Sequence, residues 1–164
     1  IRHVVFDFDG VFTNNKVYVD ANGHEYVQCD RGDGLGIKML KKFFQTREQT
    51  VDIYILSTEK NEVVQARANK IGLKAYNGIT SKLNFLLDKH KDSLNKEKRE
   101  ITGLLYVGND LNDLEAMKKA QFTACPSDAH PMIKEISIIK GKKSGGDEAY
   151  QLFHKRFLFE DEKI

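Results

Sequence analysis

The sequence is poor in the features that staple a protein, embed it in lipid or charge one of its faces. Its 164 residues hold only two cysteines, Cys29 and Cys125, far apart and without a Cys-x-x-Cys spacing. This argues against a disulfide framework or a zinc site and fits a reducing compartment, the cytoplasm. No apolar stretch approaches the roughly 20 residues of a membrane-spanning helix, and no signal-peptide pattern precedes the first apolar run. A net charge of +2, spread over 26 basic and 24 acidic residues, leaves no basic stripe for nucleic acid and no lopsided charge for a membrane surface. The expected partner is therefore a small soluble molecule. A Walker-type phosphate loop is missing, which removes nucleotide hydrolysis by that route. The five histidines, His3, His24, His90, His130 and His154, show no metal-ligand spacing. The chain begins at Ile1 rather than at methionine, so a longer parent protein stays open.

What is present reads as one domain over residues 1–164, long enough to bury roughly 70% of its unfolded surface around one core. Apolar strand-like runs alternate with helix-period segments, the pattern of a doubly wound parallel α/β sheet with helices on its faces. The expected strands are Val4–Phe8, Val51–Leu56, a short one near Ala75 and Tyr76, Leu104–Val107 and Phe122–Cys125. The expected helices are Leu35–Phe44 capped by Asp33, Glu62–Ile71 ending at Gly72, Lys82–Leu87 after Ser81, and Asp113–Lys119. Val17–Cys29 alternates around Asn22-Gly23 as a hairpin, and Asp147–Phe157 reads as a closing helix. The charge-rich run from Lys89 to Glu100 is expected to be a solvated helix and loop. Gly32-x-Gly34-x-Gly36 follows no strand and reads as a turn feeding a helix.

In an open parallel sheet the ligand site lies outside the carboxyl ends of the strands, where the strand order reverses. The first strand delivers two carboxylates there, Asp7 and Asp9, just before Gly10 turns the chain. Such a pair can hold a hard cation, with one carboxylate free to attack and the other free to move protons. Alone, Asp-x-Asp is more often a solvated turn. Here Ser57 and Thr58 end the second strand, Lys82 opens the helix after the third, and Gly108-Asn109-Asp110-Leu111-Asn112-Asp113 ends the fourth. A nucleophile, a hydroxyl donor, a cation and an acidic loop together suit phosphoryl transfer.

These four motifs resemble those of the haloacid-dehalogenase (HAD) superfamily of phosphatases. The segments Gly10-Val11-Phe12-Thr13, Gly23-His24-Glu25, Asp33-Gly34-Leu35-Gly36-Ile37 and Pro126-x-Asp128-Ala129 look like its capless subfamily. That subfamily contains 3-deoxy-D-manno-octulosonate 8-phosphate phosphatases, nonulosonate 9-phosphate phosphatases and carboxyl-terminal domains of some acylneuraminate cytidylyltransferases. Leu56-Ser57-Thr58-Glu59-Lys60-Asn61 is similar to the sialic-acid-like branch rather than to the octulosonate branch, which usually carries Thr-Gly-Arg there. The resemblance implies a magnesium-dependent phosphatase acting on the terminal phosphate of an eight- or nine-carbon 2-keto-3-deoxy sugar acid. Asp7 is then the nucleophile, and Asp9 the acid and base. Ser57 and Lys82 hold phosphoryl oxygens. Magnesium is held by Asp7, the Asp9 carbonyl and Asn109, with Asp110 and Asp113 supporting the metal loop. Gly10, Thr13, Thr58, Glu59 and Lys70 are implied in substrate binding, and Arg67 in reaching a neighbouring subunit's site.

Two departures stand out. The family usually carries aspartate where this chain has Asn109, and Gly145-Gly146-Asp147-Glu148-Ala149-Tyr150-Gln151 lacks the family's third glycine and its arginine. The fifty residues from Asp7 to Ser57 leave no room for a cap domain. A homo-oligomer, a tetramer in related capless enzymes, is expected to close the pocket, with Phe157-Leu158-Phe159 at the interface. The alternative is a non-catalytic oligomerisation module of an acylneuraminate cytidylyltransferase.

Overall fold

In the computed structural model, which describes residues 1–147, the first apolar run becomes the central strand of the sheet. That strand, β1 (His3–Phe6), buries Val4, Val5 and Phe6 on both faces, which is why its sequence is continuously apolar rather than alternating. It pairs in parallel with β4 (Asp52–Leu56) on one side and β7 (Glu100–Val107) on the other. Outside β4 lies β5 (Lys74–Tyr76), and outside β7 lie β8 (Ala120–Cys125) and β9 (Ile139–Lys140). The order β5-β4-β1-β7-β8-β9 means the chain works outward from β1, then crosses back to β7. The reversal opens a crevice at the carboxyl ends of β1 and β7.

Alternate residues of the strands face opposite helix layers. Val4, Phe6, Ile53, Ile55, Leu105 and Val107 pack against α1 (Gly32–Gln45) and α2 (Val63–Ile71). Val5, Tyr54, Leu56, Leu104 and Tyr106 pack against α3 (Lys82–Lys89), α4 (Leu114–Met117) and α5 (Pro131–Ile136). Two helix ends follow their sequence signals. Ser81 caps α3, its side chain accepting from Asn84 N–H at 3.2 Å, and Gly72 closes α2 in the left-handed region at φ 73°. The hairpin of β2 (Thr13–Val19) and β3 (Glu25–Cys29) stands off as a separate two-stranded ribbon.

Several expectations need correction. β1 stops at Phe6 rather than Phe8, because the carbonyl of Phe8 already accepts Phe12 N–H at 2.9 Å in a helical turn. Asp33 is no cap. α1 starts at Gly32 behind Arg31, and Asp33 lies buried in its first turn. The Lys89–Glu100 run includes a short strand, β6 (Leu94–Asn95), antiparallel to β7. A 3-10 turn over Leu111–Asp113 shortens the fourth expected helix to α4. The closing helix, beyond its first residue, and the Phe157-Leu158-Phe159 interface lie outside the described residues. Both cysteines are free, Cys125 buried and Cys29 half-buried, and no described helix is long and apolar enough to cross a membrane.

Candidate active site

The site begins where β1 runs out. Asp7 N–H still donates to the Val107 carbonyl at 2.8 Å, so the last parallel rung fixes the backbone that carries the first carboxylate. After it the chain turns through Gly10, which is left-handed at φ 77°. A Cβ on Gly10 would fall 1.9 Å from the Asn109 side-chain nitrogen, and one on Gly145 would fall 1.9 Å from the Gly10 carbonyl oxygen. Three chain segments thus meet at a point that only glycine admits. Thr13 lies fully buried beneath this turn. Its hydroxyl accepts from Gly10 N–H at 3.2 Å and Asn15 N–H at 3.1 Å and donates to Asp9 Oδ1 at 3.4 Å. Gly10 and Thr13 therefore shape the loop and do not line the cleft.

Behind Asp7 sits a buried charge network. Lys82 Nζ lies 2.7 Å from Asp7 Oδ1 and 2.7 Å from Asp113 Oδ1. Burial alone would lower the Lys82 ammonium, but the two carboxylates outweigh it and hold it above its ordinary value. Burial, with Asp113 second, pushes the Asp7 carboxyl well up, against the opposing pull of Lys82. Asp113 is a junction. Its Oδ1 also accepts from the Tyr106 hydroxyl at 2.8 Å, and its Oδ2 accepts from Asn109 N–H at 2.9 Å and Asp110 N–H at 3.3 Å. Its role is to anchor Lys82 and the turn after β7 from behind; it does not face the cleft.

The third wall comes from the end of β4. Ser57 N–H donates to the Tyr76 carbonyl at 2.9 Å, and its hydroxyl accepts from Glu59 N–H at 3.0 Å. Glu59 Oε1 accepts from Lys60 N–H at 2.6 Å and Asn61 N–H at 2.8 Å, fixing its carboxylate at the start of α2. Burial first and Glu59 second raise the Asp9 carboxyl, with the Thr13 hydroxyl opposing. A raised carboxyl suits a proton donor.

These elements enclose a cleft of about 300 Å³. Of the expected residues, Asp7, Asp9, Ser57, Thr58, Glu59, Asn109 and Asp110 line it. Asn15 and Asn112 also line it; Asn112 belongs to the acidic loop, and Asn15 lies in no motif that the sequence displays. Arg67 and Lys70 do not line the cleft. Arg67 donates from Nη2 to the Asp30 carbonyl of its own chain at 2.5 Å, and Lys70 is exposed in the last turn of α2.

The donor set fits a hard divalent cation. Asn109 Oδ1 is buried without a hydrogen-bond partner, a costly state for an acceptor unless something positive meets it. The lining carries four carboxylates, Asp7, Asp9, Glu59 and Asp110, and no lysine or arginine. A doubly charged phosphate would be repelled there without added positive charge. Among the described residues no three His, Cys, Asp or Glu side chains cluster as a metal site, so a cation in this cleft would need amide or backbone oxygens beside the carboxylates.

No protein-family model matches the chain. The chain is 35% identical to a protein assigned to the HAD family of hydrolases from Streptomyces avermitilis MA-4680, over 94% of this chain and 83% of that one, with a TM-score of 0.80. It is 26% identical to the 3-deoxy-D-manno-octulosonate 8-phosphate phosphatase of Moraxella catarrhalis, solved with magnesium, phosphate and the sugar acid, over 92% and 82% of the two chains, with a TM-score of 0.77. A curated phosphatase of the same name from Salmonella typhi is 28% identical over 134 residues, 81% of this chain. The match spans 66% of that relative's length.

Proposed function

This chain belongs to the HAD family, and from that premise we propose that it is a magnesium-dependent phosphatase releasing the terminal phosphate of a 2-keto-3-deoxy sugar acid. The observation that carries the reading is the placement of Asp7 in a cleft, 2.7 Å from the Lys82 ammonium, beside Asp9 and the unpartnered oxygen of Asn109. An Asp7 carboxylate oxygen attacks phosphorus as the bond to the sugar oxygen breaks, and Asp9 gives that oxygen its proton. Asp9 then takes a proton from water, whose oxygen displaces Asp7 and frees inorganic phosphate. Ser57 offsets charge on the phosphoryl oxygens from the cleft wall, and Lys82 holds the Asp7 carboxylate from behind. Magnesium held by Asp7, the Asp9 carbonyl and Asn109 would supply the remaining positive charge. The names of the octulosonate phosphatases similar to this chain support the eight-carbon acid as the first substrate to test.

A homo-oligomer is part of the same reading. Its support within the described residues is the hairpin, where Tyr18 and Tyr26 face each other across the strands and remain 68% and 58% exposed, flanked by exposed Val17 and Val19. A ribbon carrying so much apolar surface fits a second copy better than water. Sedimentation of Tyr18→Glu should report a smaller assembly than the parent chain; an unchanged mass would remove the hairpin from the interface.

The decisive experiment measures phosphate release with magnesium from octulosonate 8-phosphate, nonulosonate 9-phosphates and hexose phosphates, with Asp7→Asn as the blank. Selective release from one sugar acid supports the reading. No release from any, with the fold intact, would favour the assembly-module alternative.

A further inference from the structure

Asn15 is the hairpin's contribution to the cleft, and nothing in the chemistry above uses it. β2 is irregular between Thr13 and Val17, and Asn15 within that irregularity sits at φ 59°. This is the left-handed region, which glycine occupies freely and asparagine at modest cost. The chain thus spends an unfavourable backbone position on a residue with a side chain, and that residue lines the cleft.

Its backbone is tied to the loop that carries Asp9. Asn15 N–H donates to the Thr13 hydroxyl at 3.1 Å, and the same hydroxyl reaches Asp9 Oδ1 at 3.4 Å. Gly146 presses on the other side of the loop, where a Cβ would lie 2.6 Å from Asn14 N. One hydroxyl therefore ties Asn15 to Asp9, the group that protonates the departing oxygen. Asn15 shares the cleft with Asp9 and with Glu59 of the β4 wall. Glu59 and Asp9 in their ionised forms only accept hydrogen bonds, whereas a carboxamide both donates and accepts.

We propose that Asn15 is a specificity-determining residue that reads the hydroxyl-bearing leaving group of the phosphate ester. A polyol offers paired donor and acceptor groups to a carboxamide. An aromatic alcohol offers neither beyond its ester oxygen. The inference rests on the phosphatase reading.

Asn15→Gly is a clean probe, because glycine keeps the left-handed backbone and removes only the side chain. The quantity to measure is the ratio of kcat/KM for 3-deoxy-D-manno-octulosonate 8-phosphate to that for p-nitrophenyl phosphate. Loss of one hydrogen bond to a neutral group predicts a fall in this ratio of about tenfold, mostly through KM for the sugar ester. Asn15→Asp, which keeps the shape and loses the donor, should lower the ratio at least as far. A structural role would depress both substrates alike. An unchanged ratio in an active Asn15→Gly protein overturns the inference and leaves the phosphatase reading standing. A parent protein inactive on both esters overturns the two together.

Discussion

The two ends of the sheet bury polar groups by opposite means. At the amino ends of the strands, His3 opens β1 and meets His90 in a tilted contact with ring centroids 4.0 Å apart, and the Tyr54 hydroxyl and His90 Nε2 share a hydrogen bond of 2.8 Å. Burial first, then the neighbouring His3 and Lys89, push His90 down to about 4, and burial also lowers His3. The imidazoles there are driven toward their neutral forms. At the carboxyl ends groups of opposite sign are set in contact instead, Asp7 and Asp113 each 2.7 Å from the Lys82 ammonium. A neutralised cluster can only pack, whereas an opposed one keeps a carboxylate available for reaction; the difference marks which end is chemical.

The carboxyl end of the sheet depends most on Asp7. Asp7→Asn removes the nucleophile while leaving the Lys82–Asp113 pair, and turnover should fall below about a thousandth of the parent with an unchanged circular dichroism spectrum. Larger residual phosphate release would argue against covalent catalysis. Lys82→Met strips the cation from between two buried carboxylates and should cost about 3–5 kcal/mol of stability in urea denaturation. A loss below about 1 kcal/mol would mean the pair is solvated.

Asn109→Asp sharpens the contrast by adding charge to the open end. It should tighten magnesium binding by about tenfold in calorimetry without substrate, the direction expected for a carboxylate replacing an amide near a cation. Unchanged affinity would displace Asn109 from the metal site. The smallest effect belongs to the amino end. The folded pKa of His90 is depressed, so its contribution to stability is whole above the unfolded value near 6.5 and is lost as pH falls toward about 4. His90→Gln keeps an acceptor for Tyr54 and cannot gain the proton, so the fall in urea midpoint from pH 7 to 4 should be shallower. An equal slope would place the acid sensitivity elsewhere.

The parallel sheet and its reversal were legible because buried strands write themselves as unbroken apolar runs, and the four polar strand ends were legible because their spacing is fixed by the crossovers. What stayed hidden depended on packing. Asn15 enters the cleft through a strand irregularity that alternation does not register. Asp113 reads as one more acid of a loop until Lys82 and Tyr106 are seen against it. Arg67 reads as a free cation until the Asp30 carbonyl meets it. β6 and β9, two residues each, are too short for any period to show.

The position of β1 between β4 and β7 also governs how the protein comes to life. The Val107 carbonyl that fixes the Asp7 backbone and the Asn109 amide beside Gly10 lie far along the chain from Asp7. A strand as apolar as Val4–Phe6 must wait for both partners, and pairings so distant in sequence close slowly. Helices can form meanwhile, so refolding should restore far-ultraviolet ellipticity before it restores turnover. Until β7 docks, that flank of β1 is an unpaired apolar edge, and aggregation of a slow-folding chain is expected to start there.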